Sequence, residues 1–85
     1  PLDHEAWQLK GDMLLYGRNN PAEAIAAYRK AIALKGDFVP AHKGLLTILM
    51  ADKNAEVIKE PLAAMKAAVP NHPQTRYFEA AYALR

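Results

Sequence analysis

The sequence contains no cysteine and no serine. Without thiols, a disulfide framework, a thiolate nucleophile and a cysteine-based zinc site are all excluded. Without serine the commonest hydroxyl nucleophile is missing, and Thr47 and Thr75 stand beside no evident base. No apolar run approaches the roughly 18 residues that a membrane-spanning helix needs. Nor does one sign of charge dominate, since eleven Lys and Arg face nine Asp and Glu for a formal net charge of +2. A nucleic-acid footprint needs a dense basic face, which so even a balance does not supply. Phosphate-loop chemistry is equally absent, because Gly11 and Gly17 have neither the spacing nor the preceding strand.

What remains is an alanine-rich chain of 85 residues, enough for one small domain near the lower limit of a self-sufficient core. Alanine with few β-branched residues favours helices that pack closely. Helix-start residues recur at a fixed interval: Asp3, Asp37 and Asn71 are each 34 residues apart. All three are good N-cap types, whose side-chain oxygens accept from the free amides of a first helical turn. A recurrence of that length is a repeat signature.

Between these marks each unit reads as two helices. The first runs from about Asp3 to Tyr16, with Ala6, Leu9, Met13 and Tyr16 at helical spacing and Trp7 and Leu14 flanking them. Gly17 is expected to end it in a left-handed conformation. Asn20-Pro21-Ala22-Glu23 then has the form of a capping box with proline in the first turn, where no amide is needed. The second helix carries Ala24, Ile25, Tyr28, Ala31, Ile32 and Leu34, and Gly36 closes it. In the next unit a helix over 38–51 holds Ala41, Leu45, Ile48 and Leu49, and one over 55–69 presents Ile58, Leu62, Met65 and Val69. Pro61 falls inside that helix and is expected to kink it. Pro70-Asn71-His72-Pro73 breaks the chain again, and residues 74–85 form a fifth helix without a partner.

The first unit resembles a tetratricopeptide repeat through Trp7, Gly11, Ala24, Tyr28 and Ala31, with Gly36 where that family usually has proline. Lys10 departs from the family's leucine, and the turn at 16–21 is longer by one residue. His42, Leu46, Ile58, Leu62, Met65 and Pro70 stand at the matching places of the second unit, of which only Leu62 and Pro70 are ordinary choices. Ala80 suits the small position of the third. The resemblance implies an all-α fold, an α-α superhelix of about two and a half helix–turn–helix repeats built from five helices. Repeat 1 covers about 3–36, repeat 2 about 37–70 and an orphan helix about 72–85, and the whole of 1–85 is expected to be a piece of a longer array. The stretches 24–31 and 70–77 also resemble large bacterial repeat lipoproteins associated with exopolysaccharide export and PEP-CTERM sorting. That narrower likeness implies a periplasmic or envelope location, and without it the cytoplasm is the expectation.

Within this family the first helices of successive repeats line a concave groove. Carried over by match, that groove comprises Gln8, Asp12 and Leu15, then Lys43, Thr47 and Met50, then Tyr77 and Ala81. It implies a scaffold that binds a peptide or partner helix, with no catalysis, metal or cofactor. Lys43 is its one basic residue, so a clamp for a C-terminal carboxylate is not expected. The alternative is self-association through the last helix, where Tyr77, Phe78, Ala81, Tyr82 and Leu84 lack a partner. His4, His42 and His72 sit near the starts of successive first helices, on the order of 10 Å apart by helix stacking. A zinc ion holds its ligands at about 2 Å, so the three are expected to be solvated or helix-start histidines.

Overall fold

The computed structural model describes residues 2–85 and is all-helical. Pro1, with which the expected domain begins, lies outside the described residues. Five α-helices follow in order: α1 His4–Asp12, α2 Pro21–Leu34, α3 Val39–Met50, α4 Glu56–Ala68 and α5 Pro73–Ala83. A π turn, Met13–Gly17, extends α1 directly.

The helix starts show which local signals prevail. Asp3 Oδ1 accepts from the Ala6 amide at 2.8 Å, and Asn20 Oδ1 accepts from the Glu23 amide at 3.2 Å with Pro21 opening α2. The other two spaced marks do not cap. Asp37 pairs with Lys35 Nζ at 3.5 Å, and α3 begins on Val39 with Phe38 before it. Asn71 yields to His72, whose Nδ1 accepts from the Gln74 amide at 3.0 Å. Pro40 and Pro73 explain both displacements. A proline with φ fixed near −65° and no amide to satisfy pre-forms the first turn, so the start is set by the proline rather than by the nearest carboxylate or amide. At α4, Asn54 Oδ1 accepts from the Glu56 amide at 3.0 Å.

Neither Gly17 nor Gly36 takes a left-handed conformation; among the described residues Asn19 alone has positive φ, at 50°. Asparagine tolerates that region through local hydrogen bonding by its short polar side chain. Gly11 and Ala24 are as far apart as Leu45 and Ile58, so the turns after α1 and α3 do not differ in length. What sets the first apart is the π turn, whose amide bonds reach five residues back, as Arg18 N does to Met13 O at 3.1 Å. The helix α4 continues without a break through Pro61, whose missing amide leaves Val57 without the usual donor four residues on.

Each helix packs on the next, α1 also meets α3, and α3 also meets α5. Helix α3 therefore touches all four others. The molecule measures 36 × 25 × 18 Å along its principal axes. At its centre Tyr28, fully buried, lies between two glycines. A Cβ on Gly11 would meet the Tyr28 ring at 2.7 Å, and one on Gly44 closer still. The ring occupies the volume those two residues leave free, which is why α2 can sit so near both α1 and α3.

That arrangement decides the buried face of α1. Gly11 and Leu14 are buried and Trp7 is half-buried, whereas Leu9, Met13 and Tyr16, expected to form the inner stripe, are exposed. Two apolar stripes compete on this helix, and the one carrying Gly11 admits the closest approach to α2. The histidines differ from expectation as well. His42 is buried, and its Nε2 donates to the Gly36 carbonyl at 2.6 Å. Burial is tolerable because that hydrogen bond replaces one to water. His4 packs edge-on against Phe38 with ring centroids 4.6 Å apart, and His72 serves as a helix cap. Among the described residues no three metal-binding side chains come together. No helix among the described residues is long and apolar enough to cross a membrane.

Candidate functional site

The contact between α1 and α3 leaves a trough along the line where the two helices meet. Gln8, Asp12, Lys43 and Thr47 line it in a cavity of about 240 Å³, with Gly44 at its floor. Positions 8 and 12 share one face of α1, and 43 and 47 share one face of α3, because residues four apart stack on a helix. Gly44 has no side chain to fill the space between them.

Asp12 is the fixed point of this trough. The buried Tyr28 hydroxyl donates to its Oδ1, and Gln8 Nε2 donates to its Oδ2 at 2.5 Å. Burial first, and then the bond to Asp12, push the Tyr28 hydroxyl well above the usual phenol range. Tyr28 therefore remains a donor and holds the carboxylate in one orientation. Each carboxylate oxygen keeps an acceptor position free, so Asp12 can still receive a donor from outside. Thr47 is less available. Its Oγ1 donates to the Lys43 carbonyl at 2.7 Å within its own helix, leaving only an acceptor lone pair and a methyl group to the trough.

At Tyr16 and Thr47 the trough opens into a second cavity of about 560 Å³ between the π turn, the start of α2 and the end of α3. Its walls are apolar: Leu15, Pro21, Ile25, Ile48 and Leu49. Thus Leu15 joins the site from the neighbouring cavity. Three expected groove residues stand apart from both cavities. Met50 is half-buried, and its carbonyl accepts from Arg85 Nη1 at 2.7 Å. Tyr77 is 64% exposed on α5, and Ala81 is half-buried on the same helix.

Two residues that shape the site were not among those expected in it. The spacing of Tyr16 from Leu9 and Met13 predicts a place on the inner stripe, yet it stands where the two cavities share their lining. Gly44 carried a readable signal. A glycine inside a helix costs about 1 kcal/mol relative to alanine, so its presence marks a place where something approaches closely. Chemically the trough offers one oriented carboxylate, one ammonium, a primary amide and a large apolar recess, and no histidine lines it. Such a set suits recognition by hydrogen bonds, ion pairing and apolar burial. No family model, curated protein or solved structure matches the chain.

Proposed function

We propose that the chain is a binding scaffold, built from tetratricopeptide-like helix pairs, whose α1–α3 trough holds a segment of a partner protein. The carrying observation is the junction of a polar trough, ordered by Tyr28 and Gln8 around Asp12, with a large apolar recess. A peptide needs both kinds of surface, one for orientation and one for affinity. The repeat reading is supported by matched core positions 34 residues apart, since Ala24, Tyr28 and Ala31 correspond to Ile58, Leu62 and Met65, all six buried. A repeat scaffold works by presenting rigid side chains, so the function assigned is binding and not catalysis.

Selection of a random dodecapeptide library on the folded chain tests this. Enriched peptides should bind the parent protein and lose at least tenfold in affinity for Thr47→Trp, which fills the junction of the two cavities, while circular dichroism stays unchanged. Equal binding to parent and variant would show that the trough is not the site.

One observation favours a second reading, self-association. Tyr77 on the last helix and Leu84, which caps its end, are 64% and 88% exposed. Sedimentation over a hundredfold dilution decides the matter, for a monomer throughout removes this reading. The envelope location rests on the likeness of residues 24–31 and 70–77 to bacterial export-associated lipoproteins, and a lipobox in sequence upstream would support it.

A further inference from the structure

We infer that the apolar recess selects the partner: it takes one large apolar side chain that is accompanied by a lysine or arginine, the cation meeting Asp52. This rests on the reading above that the trough holds a partner segment, and it names the chemistry of that segment.

The recess, at about 560 Å³, is within the roughly 300–1,000 Å³ of pockets that enclose a ligand group. Leu15, Ile25 and Ile48 line it while remaining half-buried, so each still has apolar surface to remove from water. Filling such a space with one aromatic side chain is the usual way a few residues supply most of an interface's affinity. The recess is bounded by the π turn, which carries Leu15 and Tyr16, by the start of α2 and by the end of α3.

Charge supplies the second half of the specification. The chain as a whole carries +2, but the recess is lined by a single charged residue, Asp52. One of its oxygens, Oδ1, accepts from the Asn54 amide at 2.8 Å, which steadies the carboxylate and leaves acceptor positions free. Of the cations at this end, Lys53 follows Asp52 directly in the chain and lines neither cavity, and Arg85 is already engaged. Arg85 donates through Nη1 and Nη2 to the carbonyls of Met50 and Asp52, and it lines neither cavity. Lys43 belongs to the other end of the trough, beside Asp12. An incoming ammonium or guanidinium at Asp52 therefore gains a charge-assisted hydrogen bond at the mouth of an apolar site. An incoming carboxylate at the same place meets repulsion, which gives discrimination between partners.

Fluorescence anisotropy with three labelled dodecapeptides of common backbone sequence tests the proposal on the full chain. The first carries tryptophan flanked by lysine, the second tryptophan flanked by glutamate, the third alanine flanked by lysine. The first should bind about tenfold tighter than either of the others. Asp52→Asn keeps the acceptor for the Asn54 amide and removes the charge, so the lysine-over-glutamate preference should shrink to about twofold while the tryptophan-over-alanine preference persists. Equal affinity for tryptophan and alanine peptides would overturn the anchor, and equal or tighter binding of the glutamate peptide would overturn the cation. Failure here is separable from failure of the broader reading. Library peptides that lose binding on Thr47→Trp but lack the tryptophan–lysine chemistry leave the trough in place and reject this inference.

Discussion

The two helical pairs solve the same packing problem in opposite ways. In the first, small residues surround one large one: Tyr28 sits between Gly11 and Gly44, with Ala24 and Ala31 on its own helix. Thirty-four positions on, those five places hold Leu62, Leu45, Phe78, Ile58 and Met65, every one of them large and buried. The first arrangement concentrates its packing on a single aromatic ring and a single orientation. The second spreads it over several flexible aliphatic side chains and Phe78. A ring wedged between two glycines fixes the distance between helices, and it orients Asp12 as well. The trough between α1 and α3 borders that rigidly packed ring, through Asp12 on one side and Gly44 on the other.

The contrast can be broken by truncating the large side chain of each pair. Tyr28→Ala should lose about 3–5 kcal/mol, the cost of removing a buried aromatic with no neighbour able to collapse into its place. Leu62→Ala should fall near the low end of the roughly 2–5 kcal/mol range for such changes, because Met65 and Ile58 can shift into the space. Urea denaturation of the two variants measures both. Equal losses would mean that the first pair is no more dependent on one ring than the second.

A smaller effect isolates the hydroxyl. Tyr28→Phe should cost about 1.5 kcal/mol, since it removes a bond to a partly buried carboxylate. It should also change the alkaline limb. The folded state raises the Tyr28 phenol above its ordinary 10.0, so the unfolded chain releases this proton at lower pH than the folded one. The stability it contributes is complete below about pH 10 and is lost as pH rises further through the folded value. Denaturation midpoints measured between pH 8 and 11 should therefore converge for parent and Tyr28→Phe at the alkaline end. A constant gap would remove the hydroxyl's role.

The smallest effect is the sharpest test. Gly44→Ala places a methyl group against the Tyr28 ring and should destabilise by about 1–3 kcal/mol through overpacking, less about 1 kcal/mol gained in helix propensity. In a Tyr28→Ala background the clash disappears, and the same substitution should become neutral or stabilising. A double-mutant cycle reads that reversal directly as a coupling energy. Additive effects would show that the glycine does not make room for the ring.

Much of the helix pattern was legible because its signals are local. Asn20 and Pro21 mark the start of α2 without reference to anything distant, and the spacing of Ala24, Tyr28 and Ala31 marks its inner face. The misplaced features depend on competition between signals. Asp37 and Asn71 are good caps in isolation, but Pro40 and Pro73 pre-form turns that begin later. Leu9, Met13 and Tyr16 make an acceptable apolar stripe, yet a larger gain comes from bringing Gly11 against Tyr28. The burial of His42 depends on a carbonyl six residues away that becomes available only once the loop at Gly36 has closed. Of the expected trough residues, Gln8 aligns with Asp12 and Lys43 with Thr47 by helical spacing, and the α1–α3 contact brings the two pairs together. Tyr16 could not be placed there without the π turn.

The central position of α3 has a consequence for how the chain comes apart. Arrays of helical repeats behave as one-dimensional chains in which each unit feels only its neighbours and the ends fray independently. Here a single helix borders every other one, so no boundary exists across which one part could melt while the remainder kept its full set of contacts. Fraying is confined to what lies outermost, the end of α5, where Arg85 ties the last turn back to the carbonyls that end α3. Amide exchange should accordingly report one cooperative block from α1 through α4, with early exchange in the final turn of α5 alone.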